Sequence, residues 1–178
     1  MGKVIEEVQS GKSDLGIIFL SSLTKTMLLR IFFAKNLEFH EIKQIRPHVF
    51  LNRNHPLATK AEIAVEELAA YPYVVFTNKD ESSLDFSEEI IPQQNMDFTQ
   101  IIYINDRTTF YNILSHTNAL STGSGVLPEG YCDPMVCAVP IASCDDTMQI
   151  GWLKKKDAVL SPIASEFLDL LKEIMRSH

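Results

Sequence analysis

The sequence predicts an α/β fold made of two lobes, and three features of the chain indicate it. Short strand-like runs alternate with segments of helical spacing, which is the order typical of an α/β protein. The length of 178 residues suffices for two small lobes. Extended stretches near residues 50–56 and 144–150 can carry the chain between them. We therefore assign residues 1–52 and 147–178 to the first lobe and residues 53–146 to the second.

The amino-terminal part predicts a helix, a strand, a second helix and two further strands. Val4, Ile5 and Val8 lie at helical spacing, and Gly11 then ends the helix. Asp14–Leu20 follows as a buried strand because it is a continuous apolar run after a turn. The next elements are a helix at residues 25–35, strands at residues 37–45 and 48–52, and a turn at Asn54–Pro56.

The middle of the chain continues the alternation around one short apolar strand. Tyr73–Phe76 is β-branched and aromatic, and Pro72 stands at its entrance. Asp106 can cap a helix that contains Phe110 and Leu114. The other elements predicted here are helices at residues 61–70 and 83–91 and a strand at residues 98–104.

The carboxy-terminal part predicts two strands and the clearest helix of the chain. The strands cover residues 136–141 and 148–153. Ser161 caps the helix, and Pro162 occupies its first position. We expect the apolar stripe of this helix to pack against a sheet. The stripe consists of Ile163, Phe167, Leu170, Leu171 and Ile174.

Composition argues against several classes of function. Acidic residues outnumber basic ones by 23 to 16, and the resulting net charge of -7 repels phosphate backbones. The sequence lacks an apolar run of about 18 residues and a signal peptide, so we expect a cytoplasmic protein. Cys132, Cys137 and Cys144 are odd in number and lack the paired spacing of a zinc site. We therefore expect no metal and no other cofactor.

Several segments carry a family resemblance that covers nearly the whole chain. The most specific of these segments is Pro47–Ala58, which contains a predicted strand followed by a His-Pro-Leu turn. A second segment, Gly11–Ile17, has the pattern of a helix that leads into a strand. Val65–Phe76, Asn105–Thr109 and the small-residue stretch that ends at Pro128 follow in matching order and spacing. Together these segments resemble the effector-binding domain of LysR-type transcriptional regulators.

The resemblance implies an architecture and a set of partners. The fold would be of the periplasmic-binding-protein type 2, with two Rossmann-like lobes joined by two crossover strands and an incomplete first lobe. A small, anionic effector would bind between the lobes and control a winged helix-turn-helix DNA-binding domain that this chain lacks. Sensor domains of the family pair side by side, so we expect a homodimer or a higher oligomer. An incomplete first lobe would also leave an unpaired sheet edge.

The resemblance also implies which residues contact the effector. They lie at strand ends and helix starts, where hydroxyls, amides and free backbone N–H groups suit a carboxylate or a similar anion. The alternative is that they are ordinary turn and cap residues. The predicted effector-binding residues are Ser21, Thr77, Asn78, Arg107, Thr108, Thr122 and Gly123.

Two other functions fit parts of the sequence. A solute-binding protein would share the two-lobe fold but would require export. An enzyme would need convergent acid, base or nucleophile groups. Ser124 does not supply one, since its glycines are adjacent rather than at the nucleophile-elbow spacing, and Asp106 with Arg107 fits a cap followed by a solvated or ion-paired arginine. His55 is expected at the surface or in a hinge. We therefore predict a sensor that is not an enzyme.

Overall fold

A computed structural model of the protein describes residues 1–76, 98, 100–127, 130, 132–142 and 148–177. The helices are α1 (Gly2–Ser10), α2 (Ser22–Ala34), α3 (Arg107–His116) and α4 (Pro162–Ser177), and a 3₁₀ helix covers Val65–Ala70. The strands are β1 (Gly16–Ser21), β2 (Leu37–Ile45), β3 (His48–Asn52), β4 (Tyr73–Phe76), β5 (Ile101–Ile104), β6 (Ser121–Gly123), β7 (Val136–Pro140) and β8 (Met148–Lys155). The predicted α/β class is confirmed.

The chain divides into two compact units. The first contains Met1–Ile45 together with β8 and α4, and the second contains the described residues from Arg46 to Ala142. The sequence predicted that the first segment of the first lobe ends at residue 52, whereas in the structure it ends at Ile45. In the structure β3 pairs with β6 and β7, which are strands of the second unit.

The first unit is built on an antiparallel sheet with the strand order β1, β8, β2. Gly11 ends α1 as predicted: its φ of 78° is left-handed, and its N–H contacts the carbonyls of Glu7 and Val8. The alternating side chains of β1 place Ile18 and Leu20 in a core with α1 and α2. Both side chains are buried.

The second unit combines two small sheets. One is antiparallel with the order β6, β3, β7, and the other is the parallel pair of β4 and β5. A parallel bridge between Tyr73 and Leu120 connects β4 to the start of β6. Helix α3 contributes Phe110 and Leu114 to a core that also contains Phe50 and Val74.

The orientation predicted for α4 is wrong. Its cap is as predicted, since the Ser161 hydroxyl accepts a hydrogen bond from the backbone N–H of Ala164 at 3.3 Å. However, the helix buries Ala164, Leu168 and Met175. The predicted stripe residues Ile163, Phe167, Leu170 and Ile174 are exposed, and Leu171 is half-buried. Helix α4 carries apolar residues on two neighbouring sides, and periodicity alone cannot select between them.

Other differences are local. The helix predicted at residues 61–70 is a 3₁₀ helix that begins only at Val65, since Ile63 forms a bridge with Ile141. His55 was predicted at the surface or in a hinge, and its exposed fraction of 2% shows that the surface alternative is wrong. The turn that contains it packs the ring against Tyr71, with the ring centres 4.3 Å apart. The helix predicted at residues 83–91 and Cys144 lie outside the described residues.

Candidate functional site

The carboxyl ends of three strands lie at one edge of the second unit. Strands β4 and β5 are parallel, and β6 runs in the same direction from the Tyr73–Leu120 bridge. The Ser121 hydroxyl donates to the carbonyl of Val74 at 2.9 Å, which holds β6 beside β4. The strands therefore end together at Phe76, Ile104 and Gly123. This edge is where open α/β sheets bind their ligands.

Helix α3 begins at the same edge, directly after β5. Asp106 is its N-cap, and the carboxylate accepts a hydrogen bond from the backbone N–H of Thr109 at 2.8 Å. The predicted cap is confirmed. Hydrogen bonds from Thr109 lower the pKa of the Asp106 carboxyl, so the cap is ionised at neutral pH. The carboxylate also accepts a hydrogen bond from the backbone N–H of Thr108, so Asp106 engages the N–H groups of both Thr108 and Thr109.

Arg107 and Thr108 occupy the first two positions of α3 and are exposed. The guanidinium carbon of Arg107 lies 4.5 Å from the centre of the Phe76 ring and 5.8 Å from that of Phe110. Cation–π contact with two rings keeps the guanidinium at the strand ends. A fixed cation beside a helix start can bind an anion, and the Thr108 hydroxyl stands next to it in the chain.

Thr122 and Gly123 belong to β6, and the structure gives them different surroundings. Thr122 is buried, and its hydroxyl lies 2.5 Å from the Tyr73 hydroxyl. The Thr122 hydroxyl is therefore hydrogen-bonded in the interior of the second unit. Gly123 is half-buried, and a Cβ at this position would clash with the Phe50 ring. The glycine thus permits close packing at the edge where Arg107 also lies.

Ser21 lies in the first unit, at the junction of β1 and α2. It is the N-cap of α2, and its hydroxyl accepts a hydrogen bond from the backbone N–H of Thr24 at 3.2 Å. The Ser21 and Thr24 hydroxyls are 2.9 Å apart. Ser21 is 9% exposed. The structure therefore gives Ser21 the cap role that the sequence offered as an alternative.

The other two predicted residues, Thr77 and Asn78, lie outside the described residues. Phe76 also contributes to this edge, although its sequence pattern indicated only a strand residue. Its ring supports Arg107 from the end of β4. The sequence pattern that could have indicated this contact is an aromatic residue at the end of one strand and an arginine in the next strand-to-helix turn.

Within the described part of the chain, we find no group of three or more His, Cys, Asp or Glu side chains that could hold a metal ion. No helix in the described ranges is long and apolar enough to cross a membrane. Ser124 is held in a local turn, since its hydroxyl accepts a hydrogen bond from the backbone N–H of Val126 at 3.3 Å. Cys132 and Cys137 are free thiols.

Comparison with solved structures shows the same fold in transcription regulators. The effector-binding domain of QuiR in complex with shikimate has a TM-score of 0.66 and 19% identity, over 100% of this chain and 79% of that one. The BenM effector-binding domain with its effector benzoate has a TM-score of 0.63 and 13% identity, over 97% and 73%.

A longer regulator gives a similar match. HinK, a LysR family transcriptional regulator from Pseudomonas aeruginosa, has a TM-score of 0.64 and 18% identity over 97% of this chain. This chain spans only 56% of that structure. No curated protein matches the sequence.

The family itself is shown by the sequence. The family model described as LysR substrate binding domain matches residues 1–176, nearly the full length. The resemblance found in the segments around Pro47–Ala58 and Val65–Phe76 is confirmed, as is the predicted periplasmic-binding-protein type 2 fold. The chain belongs to the LysR substrate-binding domain family.

Proposed function

We propose that this chain senses a small anionic metabolite for a LysR-type transcription regulator. The observation that carries the proposal is Arg107, a cation held over an aromatic ring at the start of α3. Its position combines a fixed positive charge with the positive end of a helix. Both features favour an anion over a neutral or cationic ligand.

The two related domains support the same ligand class. QuiR is in complex with shikimate and BenM with benzoate, and each of these ligands carries one carboxylate. We propose that a carboxylate is held by the guanidinium of Arg107 and the Thr108 hydroxyl at the start of α3. Gly123 lies at the same edge, where the absence of a side chain lets the Phe50 ring pack against β6.

The proposed role is binding without turnover. Ligand binding would favour one conformation of the sensor and so change the activity of a DNA-binding domain in the same regulator. Such a regulator would act in the cytoplasm as a homodimer or a higher oligomer. Thr122 would support the site from within the second unit through its bond with Tyr73.

A ligand screen with matched variants tests this function. Shikimate, benzoate and other small carboxylates are tested for an increase in the Tm of the chain, and each hit is titrated by calorimetry. We expect Arg107→Gln to weaken binding about tenfold or more, since it removes a charge-assisted contact. Arg176→Gln, at an exposed position of α4, should bind like wild type. The proposal fails if no carboxylate binds, or if both variants bind equally well.

A further inference from the structure

An open groove with a volume of about 430 Å³ lies in the first unit, between the turn after α1 and the first turns of α4. Leu15 lines it from the turn, and Ile163 and Phe167 line it from the helix. Ile163 and Phe167 are 80% and 46% exposed, so the apolar wall of the groove faces solvent. Large apolar side chains gathered in this way mark a contact surface. The volume is in the range of small-molecule sites.

Lys12 brings a positive charge to the groove. Its backbone is fixed in the turn after α1, because the N–H groups of Lys12 and Ser13 donate to the Glu7 carbonyl at 3.0 and 3.3 Å. The Lys155 ammonium lies beside the same turn, 3.4 Å from the place that a Cβ at Gly11 would occupy. Neither lysine forms an ion pair with another described residue. The turn can therefore attract a carboxylate.

Asp14 brings a negative charge to the same groove. One oxygen of its carboxylate accepts a hydrogen bond from the Ser161 hydroxyl at 2.5 Å. Among the residues that the structure describes, the other oxygen has no hydrogen-bond partner, so it can accept from an ammonium group. Glu166 is exposed on α4, directly before Phe167, and adds a second carboxylate nearby. The remaining charged residues of α4 are not among those that line the groove: Asp169, Lys172, Glu173 and Arg176.

The groove thus combines a cation, an anion and an apolar wall. A carboxylate without a positive charge would be attracted by Lys12 but repelled by Asp14, and a simple amine would meet the reverse situation. A zwitterion satisfies both side chains. A cavity of about 150 Å³ already accepts a benzene ring, so the groove also has room for a large apolar group.

We propose that this groove binds a free α-amino acid with a large apolar side chain. The carboxylate of the amino acid pairs with the Lys12 ammonium, and its ammonium pairs with the Asp14 carboxylate. Its side chain packs against Ile163 and Phe167. Because the groove is open and the ligand stays partly hydrated, binding is weak, in the roughly millimolar range.

This site is separate from the one proposed at Arg107. The groove belongs to the first unit, whereas Arg107 and Thr108 belong to the second. The two sites also differ in chemistry, since the groove selects a zwitterion and Arg107 an anion. Each site can therefore fail its test without the other.

Amide NMR spectroscopy tests the groove with four probes, because each residue gives its own signal. The probes are L-phenylalanine, hydrocinnamate, which lacks the ammonium, phenethylamine, which lacks the carboxylate, and L-alanine, which lacks the ring. We expect L-phenylalanine to shift the signals of Leu15, Ile163 and Phe167 in a saturable way. Hydrocinnamate and phenethylamine should bind at the groove about threefold more weakly or worse, and L-alanine should leave these signals unchanged. Signals of Arg107 and Thr108 report separately on carboxylate binding in the second unit.

Three variants at exposed positions, all expected to fold, complete the test. Lys12→Gln removes the cation, and Asp14→Asn removes the negative charge but retains an oxygen that can accept from Ser161. Each should weaken L-phenylalanine binding at the groove about threefold or more. Lys3→Gln removes a positive charge from α1 and serves as the matched control, which should bind like wild type.

Four results would overturn the proposal. The first is that L-phenylalanine shifts none of the groove signals. The second is that hydrocinnamate binds there as tightly as L-phenylalanine, which would make the groove a plain carboxylate site. The third is an equal loss of binding in Lys3→Gln and Lys12→Gln. The fourth is groove signals that follow the chain concentration alone, which would indicate a contact between copies instead.

Discussion

The guanidinium of Arg107 stacks on the ring of Phe76, with 4.5 Å between the guanidinium carbon and the ring centre. The ring belongs to the last residue of β4, and the arginine to the first residue of α3. The contact therefore fixes a positive charge where strands end and a helix begins. A long side chain that is held before a ligand arrives loses less conformational entropy on binding.

The substitution Arg107→Lys separates the contribution of the stacking to ligand affinity from that of the positive charge. Lysine retains the positive charge but lacks the planar group that stacks on Phe76 and forms paired hydrogen bonds with a carboxylate. We expect an affinity between those of wild type and Arg107→Gln, measured by calorimetry with the best carboxylate. A wild-type affinity for Arg107→Lys would show that charge alone suffices, and stacking would then have no role in binding.

The cap of α3 predicts a pH-dependent stability. Hydrogen bonds from Thr109 hold the pKa of Asp106 below its usual value. A lowered carboxyl pKa stabilises the fold above the unfolded pKa, and that stabilisation is lost as the pH falls through the folded pKa. Asp106→Ala should lower the Tm at neutral pH by about 2–4 °C and by less in strong acid. An equal drop at both pH values would exclude the ionised cap as the cause.

His55 predicts a loss of stability at mildly acidic pH. Burial lowers its pKa below 6.5, and a backbone hydrogen bond with Asn118 opposes this shift only in part. The unfolded state therefore takes up a proton before the folded state does, and stability falls as the pH drops below about 6.5. Urea unfolding at pH 7.5 and 5 should show the loss in wild type and in His116→Gln, an exposed control. His55→Gln should reduce it, and an unchanged loss would contradict the assignment.

The bond between Thr122 and Tyr73 predicts different effects for two substitutions. Thr122→Val leaves the Tyr73 hydroxyl without this partner in the interior and should lower the free energy of unfolding by about 1–3 kcal/mol. Thr122→Ser keeps the hydroxyl and should cost less. Both variants are measured by urea unfolding and then titrated with carboxylate under conditions where they are folded. If Thr122→Val loses ligand affinity but no stability, Thr122 contacts the ligand instead of supporting the fold.

Local signals predicted much of the fold because each depends on few neighbours. Gly11 ends a helix through its own left-handed backbone, and Asp106 caps a helix through a residue three positions away. The strand at Tyr73–Phe76 follows from four apolar residues behind a proline. Features of this kind depend only on residues that are close together in the sequence, so the sequence can predict them.

Other features depend on contacts between distant segments. The burial of His55 requires Tyr71 and the packing around the turn, which a lone histidine before a proline does not indicate. Burial of Ala164, Leu168 and Met175 on α4 likewise depends on segments far away in the chain, such as β2, whose Lys43 ammonium donates to the Met175 carbonyl at 2.9 Å. The support of Arg107 by Phe76 likewise joins residues 31 positions apart, and only the fold brings them together.

The most direct test of the proposed function is a crystal structure of the chain with the best-binding carboxylate. We expect the carboxylate oxygens to lie within hydrogen-bond distance of the Arg107 guanidinium and of the Thr108 hydroxyl. The stacking of Arg107 on Phe76 should persist with the ligand present. A carboxylate bound elsewhere, with no contact to Arg107, would contradict the proposed function.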